Sequence, residues 1–299
     1  MASAAQTDRA PVKTRHSALR GLSLLGLVGQ SIIWILMVLI AVWEILPILW
    51  MFSTSLRLPS QSFELPPSFL PTSWDWQNYL AVLRSPQINF PLFFINSLKI
   101  GLLATVGQLL TCSMAAFAFA RLRFRGRDVL FFLFLASMMV PGQVTVIPLF
   151  IIIRQLGLID SHWSLILPAL TSGFGVFLLR QYFLTLPGEL IDAAKIDGAG
   201  FFRIYWGILL PLVGPGLSAL GIFTFMGQWN NFFGPLLFLR SWDKLTLPIA
   251  LVTLAGYMGS GSRAEILAAV MLSILPVLVA FLFGQRYVLK GIALTGLKV

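Results

Sequence analysis

TLPGELIDAAKIDGAGFFRIYWGILLP, residues 185 to 211, is a polar interruption between long apolar segments. Within it stand Glu189, Asp192, Lys195, Asp197 and Arg203, with the small pairs Ala193-Ala194 and Gly198-Ala199. Pro187 suits the first turn of a helix, and acids at Glu189 and Asp192 suit its positive N-terminal end. Gly198 suits the stop, where a residue with positive φ is wanted. The stretch predicts a short helix, marginal by itself, then a turn, then a second helix entering the next apolar segment at Ile208. Small residues let another backbone come close, so the loop is a docking element for something else.

The rest of the chain supplies the apolar surroundings. Hydrophobic residues make up 58% and charged residues 11%, far from a soluble domain, where about a quarter is charged. Six stretches are long enough to cross a bilayer as helices: 31–52, 92–119, 129–152, 163–184, 207–232 and 265–288. The third carries Pro141 and the fifth Pro211, Gly214, Pro215 and Gly216. Breakers within a span are tolerated where neighbours or water satisfy the freed backbone groups, so kinks are expected at both places.

Charge sets the orientation, because cytoplasmic loops collect Lys and Arg. The N-terminal segment, the loop around Arg121 to Arg127, the docking loop and the tail together hold 14 of the 21 basic residues. The opposite connections hold six, and Lys99 lies within a span. Both termini and the docking loop are therefore expected to be cytoplasmic. The net charge of +10 mostly follows from this bias, so nucleic acid is not expected as a partner. The expected layout is a cytoplasmic segment over 1–30, a six-helix domain over 31–288 with its docking loop at about 185–206, and a cytoplasmic tail over 289–299. The connection 53–91, with Pro59, Pro66, Pro67, Pro71, Trp74 and Trp76, reads as an ordered cap at the outer surface.

Asp192-Ala193-Ala194, Gly198 after three intervening residues, and Ile208 followed by Leu210-Pro211 resemble the EAA loop of bacterial ABC importer permeases. Asp192 stands where that family has Glu, which keeps the charge. Asn96-Ser97-Leu98, AAFAFARLR at 115–123, Trp229-Asn230-Asn231 and the tail from Gln285-Arg286-Tyr287 to Val299 are similar to its carbohydrate, binding-protein-dependent branch. The resemblance covers about residues 50 to 299. It implies an all-α membrane protein with the type I importer permease fold, multi-pass in the bacterial inner membrane. The implied partners are a second homologous permease, two copies of an ATP-binding subunit and an extracytoplasmic binding protein. A sugar or oligosaccharide is the implied solute, with glycerol-phosphate-type and polyol importers as near relatives. Asp192, Ala193, Ala194, Asp197, Gly198 and Ala199 would couple to the ATPase, Phe201, Phe202, Ile204, Tyr205 and Trp206 would stiffen the lever behind them, and the tail Lys290 to Val299 would touch the ATPase pair. The Gly-rich stretch GYMGSGS at 256–262 reads as a flexible outer loop, or, by the same resemblance, as one that reaches into a binding protein.

No catalytic site is expected. His16 and His162 are far apart, Cys112 is alone, and neither metal spacing nor a Cys-His pair exists. No G-x-x-x-x-G-K-[ST] occurs, so ATP and Mg are expected on the partner subunit rather than on this chain. Gln228, Trp229, Asn230 and Asn231 are candidates for the solute path, because amides bond hydroxyls and an indole stacks on a sugar ring. Residues capping a helix end would show the same composition. Glu44 and Lys99, both inside spans at similar depth, are a candidate intramembrane pair. A gradient-driven secondary transporter or channel is the alternative, disfavoured because such proteins show paired repeats and no second copy of the docking loop is found.

Overall fold

The structure is a computed structural model and describes residues 18–58, 61, 74–85, 89–257 and 263–296, with the backbone alone at 18–25, 27, 255, 257 and beyond Gly284. The chain divides into two compact units, Met1–Ser53 and Thr54–Val299. In the first unit lies nearly all of helix α1 (Ala18–Ser55), apolar around its whole circumference and carrying Pro47. A helix without a polar face belongs in lipid, and its Val28–Ser55 portion is long enough to cross.

The second unit is built of helices and their connections, with no strand among its described residues. A short α2 (Gln77–Arg84) leads into α3 (Phe90–Arg121), a single unbroken span. Then come α4 (Arg127–Ser137) and α5 (Gly142–Gln155), α6 (Trp163–Ala169) and α7 (Gly173–Thr185), and α8 (Glu189–Ile196). From Phe201 the chain runs through α9 (Phe201–Arg203), a π-helical turn (Ile204–Leu209) and α10 (Leu210–Leu212) into α11 (Gly214–Trp229). It closes with α12 (Phe233–Phe238), a 3-10 turn (Trp242–Lys244), α13 (Leu247–Tyr257) and α14 (Arg263–Gly296). Three helices are long and apolar enough to cross by themselves, and three bent pairs raise the candidate spans to as many as six.

The breaks explain the bends. α4 and α5 meet at 103°, with Pro141 capping α5, and the rod Phe201–Leu212 meets α11 at 78° beside Pro215. The first of these is closer to a right-angled corner than to a kink. A further bend of 40° separates α6 from α7. Its cause lies in Pro168, one residue before the end of α6, and in Ser172, whose hydroxyl caps α7 by accepting from the Gly175 N–H at 3.2 Å. Regular helix also reaches beyond residues 31–288, since α1 begins at Ala18 and α14 runs to Gly296.

α3 is the axis of the bundle, packed on α7 and α11, while α14 packs on α11. Gly175 marks a tight crossing: an added Cβ would stand 2.9 Å from Cys112 Sγ and 3.1 Å from Leu220. Small residues permit such approaches where bilayer lipid is as apolar as the helices themselves. Near the C-terminal end of α3 the core joins Phe117, Leu179, Phe183, Ile204, Tyr205 and Leu209. Near its N-terminal end Phe93, Phe225, Trp229, Leu247 and Ala268 form another.

Candidate functional site

The docking helix is α8. Gly188 accepts at its start from the N–H groups of Ile191 and Asp192, so Pro187 stands just outside the helix rather than in its first turn. At the other end Asp197 is the cap and Gly198 has φ +77°. The Ala199 N–H donates to Ala194 O at 2.9 Å and the Gly198 N–H to Lys195 O at 3.0 Å. These two bonds and the left-handed glycine make a Schellman stop, which satisfies the last carbonyls and reverses the chain. Ala194 is 6% exposed and packs in the core with Ala199 against it. Asp192, Ala193 and Lys195 face outward, and Ile196 is 87% exposed. α8 therefore sits on the bundle by one small-residue face and offers the other outward.

Residues 201–209 join the docking helix to the next span. Ile204 and Tyr205 are buried, whereas Phe201, Phe202 and Trp206 are exposed, so the five bulky residues divide between packing and surface. Tyr205 lies against Phe117, ring centroids 5.3 Å apart, and its hydroxyl meets that of Ser113 on α3 at 2.7 Å. The π-helical turn falls over Ile204–Leu209, a geometry that widens a helix by one residue and concentrates at functional places. On the approach to α8, Arg121 ends α3 and donates from Nε to Phe183 O at 3.0 Å and from Nη2 to Phe183 O and Leu186 O. It thereby satisfies terminal carbonyls of α7. In return Arg180 of α7 donates to Phe119 O at 3.4 Å and stands 4.1 Å over the Phe131 ring. Both arms of the loop are thus fastened to α3. Sequence reasoning found the loop but not Ser113 or Arg121, whose roles depend on a neighbour some 60 to 90 residues away.

The four residues 228–231 separate in the structure. Trp229 is 3% exposed, donates its indole N–H to Ser273 O at 3.0 Å and stacks on Phe225. Asn230 donates back to Met226 O in its own helix, and the Asn231 carbonyl accepts from the Gly234 N–H at 3.0 Å. Gln228 differs: its Oε1 is buried and has no hydrogen-bond partner among the described residues. It lines, with Asn231, Ser164 and the apolar Val146, Leu149 and Leu165, a cavity of about 300 Å³.

At the far end of α3 a polar clasp ties two connections together. Asp160 accepts from the N–H groups of Arg240 and Ser241 at 2.9 Å each, from the Ser241 hydroxyl, and from Lys244 Nζ at 3.1 Å. The Ser241 hydroxyl foremost, then these backbone donors and Lys244, hold its carboxyl well below the usual carboxylate range. His162 meets Lys244 O at 2.9 Å, and Asn96 donates to Asp243 O and Leu245 O. Ser97 accepts from the Leu247 N–H at 2.8 Å. The Asn-Ser pair noticed in the sequence thus pins the segment leading into α13.

Glu44 belongs to the first unit and Lys99, exposed on α3, to the second. Residues 59–60, 62–73 and 86–88 of the connection 53–91, and 258–262 of the stretch 256–262, lie outside the described residues.

The family pattern of binding-protein-dependent transport system inner membrane components matches residues 108–293. An arabinooligosaccharides transport system permease protein of Halalkalibacterium halodurans is 38% identical over 230 residues, 77% of this chain and 82% of that protein. An sn-glycerol-3-phosphate transport system permease protein of Yersinia pestis is 33% identical over 238 residues, 78% and 85% of the two chains. In structure, a chain of a bacterial ABC transporter involved in the import of the acidic polysaccharide alginate superposes with a TM-score of 0.75 at 25% identity, covering 93% of this chain and 99% of that one. The chain belongs to the inner membrane components of binding-protein-dependent transport systems, as a permease subunit of an ABC importer.

Proposed function

We propose that the chain forms half of the translocation pore of an ATP-driven sugar or oligosaccharide importer and couples it to a separate ATPase through α8. The observation that carries this reading is the build of the loop. A helix stopped by a Schellman turn presents Ile196 to an outside partner, while Ala194, Tyr205 and Arg121 fasten it to the bundle. A movement imposed on α8 would therefore be passed to α3 and α7. Asp192, Ala193, Ala194, Asp197, Gly198 and Ala199 form the contact or set its shape, and ATP and Mg belong to the partner. Two ATPase copies, a second homologous permease and an extracytoplasmic binding protein complete the proposed assembly, embedded in the bacterial inner membrane with six spans and both termini cytoplasmic. The tail, Lys290 to Val299, extends towards the ATPase pair. Deleting 292–299 should lower coupled ATP hydrolysis while membrane abundance stays constant.

For the solute path, Gln228 and Asn231 are the members of 228–231 that line a cavity, and Gln228 also carries a buried Oε1 with no hydrogen-bond partner among the described residues. Two amides and a serine in an otherwise apolar lining suit a neutral hydroxylated solute, which needs a few placed polar groups. The arabinooligosaccharide of one relative belongs to that class. Thermal-shift screening of the companion binding protein against sugars and polyols would name the solute. Uptake in vesicles with ion gradients collapsed and ATP present tests the energy source. Loss of uptake there would overturn this reading in favour of a gradient-driven transporter.

A further inference from the structure

Beside α8 lies a basic groove. Arg123 follows α3, Arg127 opens α4 and Lys195 stands on α8, and these three line a cavity of about 780 Å³. A second cavity of about 480 Å³ shares Arg123 and Arg127 with the first and ends on Val129. Val129, Phe132 and Leu133 are spaced i, i+3, i+4 along α4, which puts them in one stripe, and all three are exposed. α4 buries none of its residues in the bundle. A cationic basin thus opens directly onto an apolar track at the end of a candidate span.

The charges in the basin are incompletely balanced. Asp128 binds Arg127 at 2.9 Å, and Asp192 also lines the groove. Among the described residues, Arg123 and Lys195 make no ion pair. An arginine presents paired N–H donors to phosphate oxygens and a lysine a mobile point charge, so the two walls together suit a phosphate.

We propose that this groove holds the head group of an anionic phospholipid, of the phosphatidylglycerol class, with an acyl chain lying along Val129, Phe132 and Leu133. Basic pockets on the cytoplasmic side of membrane proteins bind such head groups, each cation near the surface strengthening the attraction about fivefold. An acidic side chain of the ATPase would meet the charges equally well but has no use for the apolar track, and the track decides between them. The cellular setting of the proposal rests on the docking loop facing the cytoplasmic leaflet.

The test uses the assembled transporter in nanodiscs containing equal phosphatidylglycerol and phosphatidylcholine, released in mild detergent, with retained lipid counted by native mass spectrometry. Both leaflets then have one composition, so the result is independent of which face is cytoplasmic. Wild type should retain phosphatidylglycerol over phosphatidylcholine. Arg123→Gln and Lys195→Gln should each lower that preference about fivefold, and Phe132→Ser should lower retention with the basin's charges intact. Excess inorganic phosphate should not displace the lipid. Equal retention of the two lipids by wild type would overturn the proposal, as would unchanged preference in Arg123→Gln or displacement by phosphate. Loss of the ATPase from Arg123→Gln with lipid preference unchanged would instead assign the groove to an acidic protein side chain.

Discussion

The hydroxyls of Tyr205 and Ser113 lie 2.7 Å apart in the buried seam between α3 and the π-helical turn behind the docking loop. Ser113 directs its own proton to backbone carbonyls of α3, Leu109 O and Leu110 O, so Tyr205 is the donor. Among the described residues this is the one side-chain hydrogen bond between that turn and α3, and it lies where a lever would have to be stiff.

Tyr205→Phe removes the bond and keeps the ring against Phe117. Stability should fall by about 1 kcal/mol, the usual net worth of one buried hydrogen bond. Solute uptake per ATP hydrolysed should fall as well if the seam transmits movement. Reconstituted vesicles measure both rates, and an unchanged ratio would remove Tyr205 from the lever.

Gly198→Val puts a β-branched residue at φ +77°. No atom lies within 4 Å of the added Cβ, so the penalty is conformational rather than steric, of order 1–2 kcal/mol or more. The chain should remain in the membrane while the Schellman turn is lost and the ATPase no longer co-purifies. Gly198→Asn, which tolerates left-handed backbone, should keep most of the association. Normal uptake by the valine variant would sink the docking role of α8.

Legibility followed locality. The docking helix could be read because its acids, its small pairs and its terminal glycine act within one stretch of chain. The bends at Pro141 and Pro215 could be read for the same reason. The 40° bend before α7 was also readable in principle, from Pro168 and the capping Ser172. Nothing local marks Arg121 as the group that closes α7, because its acceptors lie 62 and 65 residues away. Trp229 shows the opposite difficulty: an indole beside two amides is what a sugar site and a packed helix end share, and only its bond to Ser273 O separates them.

The Asp160 clasp makes the far end of the bundle sensitive to acid. Its carboxyl titrates lower in the folded chain than the ordinary value of about 3.9. The stabilisation is therefore complete above about pH 4 and is lost as pH falls through the lower folded value. Hydrogen exchange at the Arg240 and Ser241 amides should be slow from neutral pH down to that point and quicken below it. Asp160→Asn should expose both amides at every pH. Equal protection in the two proteins would show that the clasp does not hold this connection.

Arg57 carries a different tension. It is 3% exposed, and among the described residues its buried Nε and Nη2 have no hydrogen-bond partner. A buried polar group left unsatisfied costs about 1–3 kcal/mol, and a charged one more. Arg57→Met keeps the stem and removes the cost, so the solubilised chain should unfold at a higher temperature. A lower midpoint would mean that the guanidinium is paired when the chain is in its membrane.

Glu44 and Lys99 remain a proposed intramembrane pair. α1 carries Glu44 eight residues before Phe52, and α3 carries Lys99 seven residues after Leu92. On the expectation that the two spans run in opposite directions, about 1.5 Å of rise per residue would put both charges roughly 10–12 Å below the outer surface. A charge that deep costs roughly 2.5–3.5 kcal/mol on insertion scales, so it pairs, snorkels or lines water. Lysine can snorkel, because its four-carbon stem reaches the interface. Glutamate has a shorter reach and gains more from a partner. A double-mutant cycle on stability separates these cases: Glu44→Gln and Lys99→Met should be coupled by about 1 kcal/mol if the groups pair. Strict additivity would exclude the pair and leave Lys99 as an interfacial anchor.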